Sequence, residues 1–304
     1  MKLIYFCFIF LFLTTFINGY RLPSLGLGYT NILDGGPTRP YPGGYWQQWI
    51  QYYTTQRFLD ARGKALNNLS SPHFRGFATV TEFIYQFDYQ LPLGGMPGFV
   101  LALPLTLYSK IEKNALDIQS SGPGFGNLYL SAYSQWNAIQ LRGRQFFIHR
   151  LEVDFSIPMG KNKLPEKQIN PSDSFFYCGA NWAATLYISS TWNISWALHY
   201  IWNAHNEKIN TQAGDVIYCN YSIAHELFSN FYLAAVGYAL QQIHNDHVDG
   251  ISVSNSRERV FGVGPGVAYF LSKDTVFFSY LYLEAGARNR TQGTNFISRL
   301  IMHF

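Results

Sequence analysis

Charge is scarce in this chain. Asp, Glu, Lys and Arg make up 13% of the 304 residues, against about 25% in ordinary soluble domains, too few to solvate the whole surface of a soluble domain. Long apolar runs are also missing: beyond the first residues, no stretch of about 18 apolar residues is available to cross a bilayer as a helix. Cysteine is limited to Cys7, Cys178 and Cys219. Cys7 falls in the leader described below, and the other two are read as outward-facing on strands that are not neighbours, hence as unpaired apolar thiols rather than a disulfide. The net charge of +4 is scattered, with no basic run interleaved with aromatics, so nucleic acid is not an expected partner. Catalytic spacings are absent too. There is no G-x-S-x-G elbow, none of the eight histidines is followed two residues later by Ser, and GPGFG at 122–126 enters a strand rather than the helix a phosphate cradle needs. No enzyme activity, metal or cofactor is expected.

What is present is aromatic and alternating. Phe, Trp and Tyr reach 18%, while the mean hydropathy is only −0.05. Both follow if half of each strand faces lipid and half faces water. Period-2 segments recur at about 44–57, 75–91, 99–110, 125–140, 145–158, 174–188, 191–204, 213–227, 230–243, 259–271, 275–287 and 293–304. Short joins (PLGGMPG, LRGR, SST, FSN, SKD) exchange with long polar ones after the first, third, fifth, seventh and ninth segments. That pattern predicts an all-β, transmembrane antiparallel β-barrel of about 12 strands in a Gram-negative outer membrane, with short periplasmic turns and long external loops.

The seventh segment decides which side is greasy. Trp192, Ile194, Trp196, Leu198, Tyr200 and Trp202 share one face, and Asn193, Ser195, Ala197, His199 and Asn203 share the other. Tryptophans on a face that a soluble protein would have to cover point to lipid, with rings near the strand ends at the headgroups. The C-terminal NFISRLIMHF alternates in the same way, and Phe304 is expected to be the lipid-facing anchor of a last strand paired with the first. Outer-membrane barrels commonly end on such a segment, which their insertion machinery reads. Expected partners are therefore that machinery, outer-membrane lipid and lipopolysaccharide.

Residues 1–19 read as a signal peptide: Lys2, an apolar stretch to about Leu13, then small and polar residues, with removal expected after Gly19. The alternative, an uncleaved anchor helix, suits the short segment less well. Residues 20–42 are Gly- and Pro-rich and not strand-like, and the barrel occupies 43–304.

Several segments in order carry a resemblance: LDGGPTRPYPGGYWQQWIQYY at 33–53, GPGFGNLYLSAYSQW at 122–136, LHYIWNAHNE at 198–207, QQIHNDHVDG at 241–250, RERVFGVGPGVAYFLSKD at 257–274 and FFSYLYLEAGARNR at 277–290. Together they resemble the family of outer-membrane proteins associated with the phenol meta-degradation pathway. The resemblance implies an outer-membrane barrel passing small hydrophobic or aromatic compounds, and it carries no catalytic residues. Where that family often has an acidic residue this chain has Asn127, so no carboxylate role is carried over there.

Parity assigns Glu82, Asp88, Arg150, Glu152, Asp154, His199, Glu226, Glu284, Arg288 and Arg299 to the lumen, either lining a polar path or filling the interior as ion pairs. Glu284 and Arg299, on adjacent strands, are a candidate pair. Gly262, Gly264 and Gly266, with Ala235, Gly237 and Ala239 on the preceding strand, strip side chains from the interior, so something must pass close to the wall there. The candidates are a substrate and residues 20–42 folded back as a lumen plug; a disordered periplasmic tail is the other state open to 20–42. His244, Asp246, His247 and Asp249 are cation-ligand types, but in a loop ending on the turn dipeptide Asp249–Gly250 the simpler expectation is a solvated external loop. The expected function is passive uptake of small hydrophobic or aromatic compounds; the alternative is a sealed barrel that acts through its external loops.

Overall fold

The computed structural model describes residues 25–36, 41–66, 72–112, 119–160, 162 and 168–304. The expected signal peptide lies outside the described residues, as do 20–24 and 37–40 of the segment that follows it. Among the described residues no helix is long and apolar enough to cross a membrane. The wall consists of strands β1 (Gly43–Phe58), β2 (His73–Gln86), β3 (Met96–Glu112), β4 (Leu128–Gln135), β5 (Arg144–Ile157), β6 (Tyr177–Tyr187), β7 (Trp192–Asn203), β8 (Val216–Phe228), β9 (Phe231–Gln242), β10 (Arg259–Ser272), β11 (Thr275–Arg288) and β12 (Thr291–His303). Each pairs antiparallel with its sequence neighbours, and β1 pairs with β12 from Tyr45 opposite His303 to Phe58 opposite Thr291. The ring is closed. A closed ring leaves no backbone donor or acceptor row facing hydrocarbon, which is what permits strands to span a membrane.

The two faces separate as the alternation requires. Leu198, Tyr200 and Trp202 of β7 lie exposed on the outside, whereas Asn193, Ser195 and Asn203 are buried inside. Cys178 and Cys219 are unpaired, on β6 and β8 with β7 between them. At the seam, Phe304 exchanges two backbone hydrogen bonds with Gly44 while its ring stays exposed.

The fourth segment departs from expectation. Instead of one strand over 125–140, the wall strand is Leu128–Gln135, Gly124–Phe125 is a separate bridge to β3, and Ile139–Leu141 forms a hairpin with β5. Pro104 on β3 has no N–H to offer. The β3–β4 ladder therefore ends at Ala102 opposite Tyr129, and Gly126 bonds the Pro104 carbonyl from outside the ladder. On β9 the faces are the reverse of the expected ones. Ala234, Val236, Tyr238 and Leu240 are buried inward, which places Ala235, Gly237 and Ala239 outward. With alanine on both faces, the sequence there offers no contrast to read.

The connections after β2, β4, β6, β8 and β10 are turns or short hairpins, and those after β1, β3, β5, β7 and β9 are long. The β11–β12 join, on the long-loop side, is only Asn289–Arg290. The loops after β7 and β9 share a small external sheet of Thr211–Gln212, His247–Val248 and Ile251–Ser252.

Candidate functional site

The inward faces of the strands enclose a polar, tyrosine-rich lumen, and residues 25–36 lie inside it. Their backbone is held by side chains from several strands. Asn220 of β8 accepts from the Gly28 N–H at 2.9 Å and donates to the Gly26 carbonyl at 3.1 Å. Ser222 donates to the Asn31 carbonyl, and Tyr282 of β11 to the Gly28 carbonyl, both at 2.9 Å. Ser195 of β7 receives the Leu33 N–H and Thr185 of β6 the Gly35 N–H. Asn31 and Ile32 are fully buried. Irregular backbone is tolerated at membrane depth only where it is enclosed by protein in this way.

The expected close approach at Gly262, Gly264 and Gly266 is made by neighbouring strands, with residues 25–36 one layer further in. A side chain at Gly262 would strike the Tyr238 ring, and one at Gly266 would meet Val236 and Tyr280. Gly264 is tightest: a Cβ would fall 1.8 Å from the Leu281 carbonyl oxygen. Tyr238 and Tyr282 then back the lumenal segment, their rings 4.9 Å apart.

Beside that segment runs a cavity of about 1590 Å³, larger than the roughly 300–1,000 Å³ of ordinary small-molecule pockets. Its lining reaches from Asn127 and Asp173 among the external loops to Arg142 and Asp274 in the periplasmic turns. Midway, two arginines stand over aromatic rings. Arg299 lies 4.1 Å from the Phe278 ring and 5.8 Å from Trp49, and Arg150 lies 5.2 Å from Tyr133 while pairing with Glu152 at 3.1 Å. Glu152 also accepts from Ser131 at 2.6 Å, and Asp154 accepts from Asn181. Glu82 of β2 stands within electrostatic range of Arg150, Glu152 and Arg299. Buried charges in such a lumen persist where they meet an opposite charge or a hydrogen-bond partner, as Arg150, Glu152 and Asp154 do.

Glu82, Arg150, Glu152, Asp154, His199 and Arg299 are thus brought to the mid-lumen. His199 stacks on Tyr218 at 4.1 Å with neither ring nitrogen hydrogen-bonded. Glu284 sits nearer the external side, accepting from Tyr53 at 2.7 Å, Tyr238 at 2.8 Å and the Gly293 N–H at 2.7 Å. It does not pair with Arg299. The β11–β12 register sets Phe278, not Glu284, opposite Arg299. Glu226 is at the periplasmic rim, where it accepts from the Asn230 N–H and Tyr232.

Two of the expected lumenal residues are elsewhere. Asp88 is exposed in the turn beyond β2, because that strand ends at Gln86 rather than near 91. Arg288 is exposed on the outer face: Gly286, at φ +63°, forms a bulge that buries Ala287 and turns Arg288 outward, the usual effect of an extra residue in one strand. Sequence reasoning missed Asn220, Ser222 and Tyr282, although each follows from parity, and Asp34, which approaches Arg150 and Arg299 from the lumenal segment.

Asn127 donates to Asp173 at 2.6 Å and to the Phe175 carbonyl, with the Ser156 hydroxyl also at 3.1 Å; an ionised carboxylate has no proton to donate to Asp173 or to that carbonyl. In the external loops, Asp246 accepts from the Gly214 N–H and Gln242, and burial raises its pKa against those bonds. His244 meets Asp215 at 3.0 Å and Asp249 bonds Asn210, so His244, Asp246 and Asp249 of HNDHVDG bind the loops together. Glu258, just before β10, is buried with Arg290 at 3.3 Å. Burial lifts its pKa to about 7, Arg290 acting in the opposite sense.

A family model described as "Putative MetA-pathway of phenol degradation" matches residues 55–300. Among solved structures, the chain is similar to an outer membrane channel from Pseudomonas putida F1, with a TM-score of 0.75 at 14% identity over 88% of this chain and 97% of the other. It is also similar to the beta domain of the Bordetella autotransporter BrkA, with a TM-score of 0.52 at 11% identity over 87% and 100%. No curated protein matches the sequence. These likenesses establish the outer-membrane barrel fold.

Proposed function

The chain belongs to the family described as "Putative MetA-pathway of phenol degradation", and from that premise we propose that it is an outer-membrane channel for passive uptake of small hydrophobic or aromatic compounds. The observation that carries this reading is the cavity lined from the external loops to the periplasmic turns. Its walls offer ring faces at Trp49, Tyr129 and Tyr133, with a few fixed polar groups among them, the mixture that binds an aromatic solute weakly enough to release it. A phenol-sized molecule would be captured at the external end, slide between residues 25–36 and the β1–β5 wall, and leave at the periplasmic turns. The solute would stack on rings as it moves, and Arg150 and Arg299, each over a ring, would hold their positive charges ready for a hydroxyl or carboxylate substituent. The passage is read as passive, and the solute would leave unchanged. The similarity to an outer membrane channel supports the reading at the level of fold.

The test is flux. Liposomes containing the purified barrel should admit phenol-sized aromatics faster than sugars of similar mass, and planar bilayers should register discrete conductance steps. Empty-liposome rates and flat current traces would sink the proposal. They would favour a sealed barrel acting through its loops, a reading supported by the hydrogen bonds that hold residues 25–36 across the lumen.

A further inference from the structure

On the external rim, two pairs of cations face each other directly across strand pairs. Arg75 of β2 is opposite Lys110 of β3, and Arg259 of β10 is opposite Arg288 of β11. Like charges in directly opposed positions repel. At the first pair Glu112 answers both, 2.9 Å from Arg75 and 2.6 Å from Lys110. At the second, no carboxylate among the described residues does. Among the described residues neither Arg259 nor Arg288 forms an ion pair, and the adjacent Glu258 is turned inward to Arg290. The Gly286 bulge is what aims Arg288 outward, since unbroken parity would have placed it in the lumen. Arg259 is steadied by donating to the Gly286 carbonyl at 3.1 Å and by lying 5.6 Å from the Phe261 ring.

Directly below this pair on the same outer face, Phe261 and Val263 of β10 and Leu281 and Leu283 of β11 are exposed, forming an apolar strip that runs into the membrane. Two unanswered guanidiniums above a lipid-facing strip make an amphiphile-shaped site with a phosphate-binding head. We propose that this is a lipopolysaccharide site: Arg259 and Arg288 bind the phosphates of lipid A, and its acyl chains lie along Phe261, Val263, Leu281 and Leu283. The external position of the pair selects phosphorylated glycolipid over phospholipid, because the long-loop side of the barrel faces the outer leaflet. The site stands apart from the lumen and does not depend on what the channel carries.

Binding of bisphosphorylated lipid A, of the same lipid without phosphates, and of phosphatidylglycerol to the full detergent-solubilised barrel can be compared by native mass spectrometry, with the folded state checked by electrophoretic mobility without heating. The wild-type protein is expected to bind bisphosphorylated lipid A about ten-fold more tightly than the phosphate-free form, equivalent to one charge-assisted hydrogen bond. R259Q/R288Q should lose that difference, and R75Q/K110Q on the same rim should keep it. Equal binding of the phosphate-free lipid by the wild-type protein would overturn the proposal whatever the variants do. So would phosphatidylglycerol competing as well as lipid A, or full retention of the phosphate preference in R259Q/R288Q. If the double variant does not fold, the exposed single variant R288Q carries the same comparison, and an unchanged preference there counts equally against the site.

Discussion

Asn220 holds two backbone groups of the lumenal segment with one side chain, and its removal is the sharpest way to ask whether that segment closes the barrel. Its oxygen accepts from the Gly28 N–H at 2.9 Å and its nitrogen donates to the Gly26 carbonyl at 3.1 Å. A net contribution of about 0.5–1.5 kcal/mol for each hydrogen bond makes the pair worth about 1–3 kcal/mol, or about 5–150-fold in the ratio of seated to displaced segment. The wall should survive, since Asn220 keeps its backbone register opposite Ala197 and Tyr238. Asn220→Ala is thus expected to raise the fraction of time spent in a high-conductance state of single channels by one to two orders of magnitude at most. Adding Ser222→Ala, which frees the Asn31 carbonyl, should raise it further.

Two variants bracket that measurement. Deleting residues 20–42 should give the upper limit of conductance. A disulfide between Leu33→Cys and Ser195→Cys, placed where the Leu33 backbone N–H donates to the Ser195 hydroxyl at 3.1 Å, should restore the low-conductance state of Asn220→Ala in a background without Cys178 and Cys219. Unchanged open fractions in Asn220→Ala and in the deletion together would refute the idea that residues 25–36 obstruct the path.

Gly264→Ala is expected to abolish the folded band in unheated electrophoresis, because the new Cβ would meet a carbonyl of the adjacent strand at 1.8 Å. The lipid-facing Val263→Ala next to it should leave the band intact; a folded Gly264→Ala barrel would show that the β10–β11 spacing is looser than described. Glu258 gives a pH signature. Its raised pKa of about 7 means that the folded state holds the proton more tightly than the unfolded chain, so its contribution is fully present at low pH and lost as pH rises through about 7. Denaturant resistance of the wild-type barrel should therefore fall relative to Glu258→Gln between about pH 5 and about pH 8, and parallel profiles would refute the assignment.

The barrel was legible because lipid imposes a strict two-residue period: on β7, Trp192 through Trp202 could face only hydrocarbon. The same rule explains the misreadings. Where both faces are small, as at Ala234 and Ala235, the period carries no contrast and the assigned face came out inverted. Where a glycine bulges, as at Gly286, the period slips by one residue and everything beyond it changes sides, which is how Arg288 reached the lipid surface. Parity also encodes direction without elevation. Glu284 and Arg299 do share the interior, but the antiparallel register separates them by about six residues, roughly 20 Å of strand at 3.4 Å per residue, and so removes the expected ion pair. The hydrogen bonds that hold residues 25–36 have no local sequence signal either. Asn220, Ser222, Ser195 and Thr185 look like ordinary inward polar residues, and only closure of the ring brings them to one stretch of backbone. Composition can mark that stretch as neither strand nor helix, but its location depends on the orphan donors and acceptors inside the wall that it satisfies.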